Sequence, residues 1–450
     1  MASDPIAAIT NAAKPLPPIS NPTFAHHFDD LAEYKVVLLG DGSHGTSEFY
    51  SARAEITKRL VREHGFSVIA LEADWPDAEV IDRYVRQRPT LATKMGTLES
   101  RPQPNAFRRF PTWMWRNREF QDLAHWMRDY NSSLPFEKRA GFYGLDLYSM
   151  ETSICAVIDY LDHVDPQQAK EARRRYGCLQ PWVEEPSMYG MSFLRGGTNC
   201  EKRVTKMLQD LLAHRVQYIQ HFADGEEFRS SEQNAYLIRD AEQYYKVMLF
   251  SSSKSWSLRD THMVSTLKRV LRDKPPGTKA IVWAHNSHCG DARYTHMGPR
   301  SQVNVGQLVR EDFGRENVAI VGCDTHTGTV AAADEWDANM RIMKVNPSRR
   351  DSWEYLAHCT GISRFVLDLR PEVASPLLRS VLSTERQRLM RFIGVIYRPD
   401  TERESHYSRT ALENQFDKYV WFETTEAVKA LEAVQPSTPL NEAETYPFGL

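Results

Sequence analysis

No apolar run in the 450 residues approaches the roughly 20 needed to span a bilayer. The opening residues 1–20 also lack the charged-then-apolar order of a secretory signal. A cytoplasmic protein with no membrane partner is therefore expected. Charge of one sign is missing too. Lys plus Arg (56) nearly balance Asp plus Glu (59), a net of -3, so the field on which general nucleic-acid binders rely is absent and no nucleic-acid partner is expected. The six cysteines (Cys155, Cys178, Cys200, Cys289, Cys323 and Cys359) include no CxxC pair. This argues against a zinc ribbon or dithiol centre and for buried reduced thiols, with only Cys289 beside a motif of chemical interest. Internal repeats are absent, and low-complexity character is confined to the termini. Hydrophobic residues at 41%, charged at 26% and aromatic at 11% are those of an ordinary globular chain.

What is present is a series of short apolar runs rich in Val, Ile and Leu, at residues 35–39, 67–71, 141–145, 280–284, 318–321, 365–369, 392–397 and 419–422. Such runs read as strands buried on both faces of a largely parallel sheet. Helical periodicity follows several of them. In residues 47–64, for example, Phe49, Ala52, Ile56, Leu60 and Val61 share one face. The alternation predicts an α/β fold: a mostly parallel central sheet flanked by helices, with an inserted helical subdomain where strand signals vanish. The expected organisation is an extended N-terminal arm (1–33), the first part of the α/β catalytic core (34–150), the helical insertion (151–275), the second part of the core (276–434) and a C-terminal tail (435–450).

Titratable residues gather at the predicted strand ends, where open parallel sheets place ligands. The first strand runs into Gly40-Asp41-Gly42-Ser43-His44-Gly45, which lacks the Lys-Ser/Thr pair of a phosphate loop and the GxGxxG spacing. The second ends in Glu72-Ala73-Asp74-Trp75, with Asp74 and Asp77 also suited to capping the next helix. Asp146 ends the third, and the fourth leads into His285-Asn286-Ser287-His288. Together, His44, His285, His288 and a carboxylate would suffice as zinc ligands, but HxxH in a loop is not the HExxH helix signature. Ser43 and Ser287 neighbour histidines without the GxSxG elbow of a serine hydrolase. Arg53, a turn or more beyond His44, either projects to the rim or is solvated. Arg109, Phe110, Trp113 and Trp115 read equally as pocket wall or as core.

Seven stretches in order, GDGSHGTSEFYSARAEITKRL, VIALEADWPDA, RRFPTWMWRN, GFYGLDLYS, SWSLRDTHM, IVWAHNSHCGDAR and IYRPDTERESHY, resemble the erythromycin esterase family in its broader, erythromycin-esterase-like branch. The resemblance covers roughly residues 34–421. It implies a metal-independent, cofactor-free hydrolase in which His44 is the general base on water, surrounded by Asp41, Arg53, Glu72, His285 and His288. Asp41 stands where the family usually has Glu, one methylene shorter. Implied with it is a carboxylic ester hydrolase acting on an ester or lactone, macrolide or otherwise polyketide-like; the residues themselves point to a substrate cleft between the strand-end rim and the inserted helices, to which Asp146, Trp75, Arg109, Phe110, Trp113 and Trp115 contribute. The competing readings are acid/base-catalysed acyl transfer, cyclisation or isomerisation on the same constellation, and a non-catalytic small-molecule-binding protein. The oligomeric state is left open.

Overall fold

The computed structural model describes residues 4–89 and 106–432, apart from six single positions (184, 195, 198, 223, 224 and 386). Eleven strands form in chain order: β1 (Lys14–Pro15), β2 (Val36–Asp41), β3 (Phe66–Asp74), β4 (Gly141–Asp146), β5 (Lys279–His285), β6 (Val318–Ala332), β7 (Arg341–Val345), β8 (Arg364–Asp368), β9 (Arg388–Arg391), β10 (Tyr407–Thr410) and β11 (Lys418–Thr425). Six of them, in the order β11-β6-β2-β5-β3-β4, are parallel throughout. On one edge β8 and then β1 add antiparallel, and β7 pairs antiparallel with the long outer half of β6. β9 and β10 form a separate two-stranded ribbon.

Every residue of β2 and of β4 is buried, as strands covered by helices on both faces must be. Alternate residues of one strand feed opposite layers: Val37 and Leu39 join the core under the helix Ser47–His64, while Val36 and Leu38 join the core on the other side. That helix spans the expected residues and directs Phe49, Ala52, Ile56, Leu60 and Val61 inward. Between β4 and β5 the described chain from Met150 to Arg272 makes helices and turns only, around its own apolar cluster. The long helix Ser252–Arg272 folds back beside β3 and β4, and Glu226–Val247 packs against it within the helical portion. Among the described residues, no helix is long and apolar enough to cross a membrane.

Three expectations give way to the packing. Residues 4–33 are not an extended arm: Pro5–Ala12 is a helix, β1 extends the sheet, and a 3-10 segment, Phe24–Glu33, buries Phe24, Phe28 and Leu31. Residues 392–397 are apolar but form no ladder strand. The Ile393 N–H donates to the carbonyl of Gly42 (2.9 Å) and its own carbonyl accepts from His44 N–H (3.2 Å), while the backbone of Val395 and Tyr397 pairs with Ala333. Backbone groups that would join a neighbouring strand are spent on the loop after β2 and on the residue that follows β6. The cysteines are not all reduced and buried either: Cys178 and Cys200 form a disulfide, and Cys155 is exposed. The tail at 435–450 lies outside the described residues.

Candidate active site

β2 and β5 pair in register with Asp41 opposite His285, and β3 and β4 with Asp74 opposite Asp146, so four strand ends deliver their polar side chains to one rim. Between Leu71 and Asp74 the register of β3 slips against β4, a bulge that falls at Glu72-Ala73, beside the site. Glu72 Oε2 then accepts the His285 N–H (2.8 Å).

The loop after β2 owes its glycines to close packing. A Cβ on Gly45 would stand 1.9 Å from the carbonyl oxygen of Ala331, and one on Gly42 would stand 2.1 Å from a carboxylate oxygen of Asp324. No other residue fits either place. Thus held, and with the Tyr50 hydroxyl 3.0 Å from its carbonyl oxygen, His44 turns its ring into a cleft and is 6% exposed. Its Nδ1 lies 3.5 Å from Asp41 Oδ1 and its Nε2 lies 3.8 Å from Glu72 Oε1. The first separation is too long for a strong hydrogen bond and leaves an electrostatic contact. Asp41 is in turn clamped by Arg53 (Nη1–Oδ2 2.6 Å), whose guanidinium lies 4.6 Å from the ring centres of both Tyr50 and Trp283. Arg53 is therefore a buried partner of Asp41 and not a solvated surface cation. Burial pushes the Asp41 carboxyl above its ordinary value, against the pull of Arg53 and His44.

The two further histidines hold opposite protonation states. His285 is packed 4.8 Å from the His44 ring. Burial, with His44 beside it, keeps its pKa well below 6.5. Its Nδ1 faces the Ser287 N–H (3.4 Å) and hydroxyl (2.8 Å), and its buried Nε2 has no protein partner. That network assigns the proton of the neutral ring to Nε2, an N–H buried within the protein, where the Gly42 backbone favours a proton on the ring. His288, by contrast, lies between Asp260 (Nδ1–Oδ1 2.9 Å) and Glu72 (Nε2–Oε1 3.1 Å) and stacks on Trp256 at 4.2 Å. Although burial disfavours its charge, Asp260 and Glu72 raise its pKa to about 9. As an imidazolium it donates to both carboxylates, so Arg259 Nη1, 3.0 Å from the same Nε2, is a close neighbour and not a donor to it.

Arg259 completes the charge pattern. It takes Asp146 with two nitrogens (2.9 and 2.6 Å) and Glu72 Oε1 with Nη2 (2.9 Å). Burial alone would push the Glu72 carboxyl up, but His288, His44 and Arg259 hold it well below the usual range. The site therefore carries an ionised glutamate, two fixed cations and a neutral imidazole.

The cleft encloses about 1130 Å³, open solvent included, and its lining contains His44, Glu72, His285, His288 and Asp146. Phe110 and Trp115 form part of its wall with Trp336 and Phe392, and Arg109 lines it 3.4 Å from Asp74. Trp113 does not reach the cleft: it is fully buried behind Phe110, at 5.3 Å and edge-on. Trp75 also lies elsewhere, lining a second cavity where its indole N–H donates to Ser230 (3.3 Å). Arg259, Asp260 and Trp256 were not singled out by the sequence reading, although the SWSLRDTHM stretch contains them. Their spacing of i, i+3 and i+4 places all three on one helical face. Only the folding back of Ser252–Arg272 brings that face to the rim.

Comparison with known proteins places the chain among relatives of the same family and fold. A family model described as erythromycin esterase matches residues 61–425. The chain is 20% identical over 270 residues to a putative hydrolase, YbfO, of Bacillus subtilis, covering 56% of each protein, so it spans little more than half of that relative's length. It is 21% identical over 320 residues to erythromycin esterase type I of Escherichia coli, covering 65% of this chain and 70% of the relative. Among solved structures, a Bacillus cereus protein superposes with a TM-score of 0.74 at 19% identity, covering 95% of this chain and 98% of that one. A mutant of the erythromycin esterase EreC in its open conformation gives 0.64 at 16% identity, covering 92% and 98%. The chain belongs to the erythromycin esterase family.

Proposed function

We propose that this protein hydrolyses a carboxylic ester or lactone by direct attack of water activated by His44, with no metal at the site and no acyl-enzyme. The observation that carries the reading is the meeting, in one buried cleft, of the His44 ring, backed by Asp41, with the positively charged His288 and Arg259. His44 Nε2 removes a proton as the water oxygen bonds to the carbonyl carbon, and Asp41 stabilises the imidazolium. The tetrahedral oxyanion lies toward the fixed positive charges of His288 and Arg259. Collapse breaks the carbon–oxygen bond of the leaving alkoxide, and the proton held by His44 passes to it. The products are an alcohol and a carboxylic acid, which ionises to the carboxylate by releasing the second water proton to solvent.

The charge arrangement favours imidazole over Lewis-acid chemistry. His288 is protonated between two carboxylates, and Arg259 already occupies the coordinating oxygen of Glu72. A protonated imidazole offers no lone pair to an ion. The size of the cleft and its aromatic wall suit a large, mostly apolar ester, macrolide or otherwise polyketide-like.

Reaction of the purified protein with an ester and lactone library in water enriched in oxygen-18, read by mass spectrometry beside a His44→Ala control, tests the proposal. One labelled oxygen should enter the carboxylate, and the control should lose about 10²- to 10⁴-fold in rate. Turnover without label would move the reaction to acyl transfer or isomerisation. Undiminished turnover by a folded His44→Ala protein would remove the base.

A further inference from the structure

We propose that His326, His358 and Glu423 bind a divalent transition-metal ion of the zinc type at a site apart from the catalytic cleft. None of the three lines that cleft. Among the described residues, theirs is the one group of three or more His, Cys, Asp or Glu side chains whose candidate ligand atoms gather within 4.8 Å of one another.

The fold brings the three together by register. β11 pairs with β6 so that Phe422 faces Thr325 and Thr424 faces Thr327, which places Glu423 beside His326 on adjoining parallel strands. The helix Trp353–His358 then ends with His358 over both. His358 Nδ1 lies 2.6 Å from Glu423 Oε1, and the two imidazole rings stack at 3.8 Å, within 6° of parallel. Nδ1 of His326 faces the Ser348 hydroxyl (2.7 Å) and N–H (3.3 Å), contacts that fix the orientation of the ring, as outer contacts do for metal-bound histidines.

Two imidazoles and one carboxylate form a borderline donor set, suited to Zn²⁺ with water completing a tetrahedron. With Nδ1 of His358 facing Glu423 in the stack, the His358 ring must turn for both imidazoles to converge on an ion. His358, at a helix end and with 38% of its side chain exposed, can turn, and the partial exposure of Glu423 (31%) opens the cluster to solvent. A bound ion would clamp the helix end to β6 and β11.

The test uses tag-free, full-length protein stripped with chelator and dialysed, titrated with Zn²⁺ by calorimetry and with Co²⁺ by visible absorption. Wild type, His326→Ala, His358→Ala, Glu423→Gln and His44→Ala are compared, with circular dichroism confirming that each is folded. The expected result is one ion per chain, tetrahedral cobalt bands, affinity reduced about 10-fold or more in each of the three cluster variants, and unchanged affinity in His44→Ala. Because Glu423→Gln preserves shape, it tests the site even if a histidine variant fails to fold. No binding by wild type, equal affinity in the cluster variants, or affinity lost with His44→Ala would each overturn the proposal.

Discussion

The charge on His288 depends on Asp260, and Asp260→Asn tests the electrostatics of the whole site. In the native protein the imidazole is held between Asp260 and Glu72 with its pKa raised from 6.5 to about 9. That rise corresponds to about 3 kcal/mol in favour of the charged ring in the fold, at 1.36 kcal/mol per pH unit. Since the folded pKa lies above the unfolded one, this stability is fully present below pH 6.5 and is lost as pH rises through about 9. Asn at position 260 can still accept the Val305 N–H that Asp260 accepts at 2.9 Å, so the helix contact survives while the charge goes. Burial and Arg259 then dominate, and the titration midpoint of His288 should fall below about 7. Histidine nitrogen chemical shifts followed by NMR from pH 5 to 10 report the midpoint, and urea unfolding across the same range reports the linkage. Wild type should lose stability between pH 6.5 and 9, whereas the variant should be flat there and weaker at the acid end. A midpoint still near 9 in the variant, or parallel stability curves, would refute the reasoning.

Other perturbations separate catalysis from packing. Arg53→Met leaves Asp41 buried and unpaired, and should cost about 3–5 kcal/mol in denaturant unfolding, a loss lessened at low pH where Asp41 is protonated. Gly45→Ala drives a Cβ into the Ala331 carbonyl, so kcat should fall at least about 10-fold as the His44 loop shifts, with a lower melting temperature. Phe110→Ala should raise KM with little change in the pH profile, whereas Trp113→Ala, behind the cleft wall, should remove about 3–5 kcal/mol of stability and leave substrate preference unchanged. A change of preference in Trp113→Ala alone would reverse the roles of the two rings.

Much of the architecture follows from local pattern. The apolar runs at 35–39, 67–71, 141–145 and 280–284 become β2 to β5 because residues buried on both faces leave no polar alternation. Their C-terminal residues, Asp41, Glu72, Asp146 and His285, share a rim because parallel strands end on the same side. A chain of titratable groups after successive strands was therefore a legible sign of the site. The family resemblance, in turn, rested on contiguous motifs, and a family model over residues 61–425 matches it. Tertiary structure decided what local pattern does not contain. Residues 392–397 have a strand's composition, yet their backbone serves the His44 loop, since hydrogen-bonding partners are chosen in space. Trp113 and Phe110 stand three apart and only one reaches the cleft, because a short 3-10 segment turns the other into the core. Arg259 and Asp260 enter the site from a helix more than a hundred residues beyond β3. The opposite protonation of His285 and His288, three residues apart, comes from carboxylates on other elements. Charge at a buried imidazole is set by its neighbours in three dimensions, and sequence spacing does not encode them.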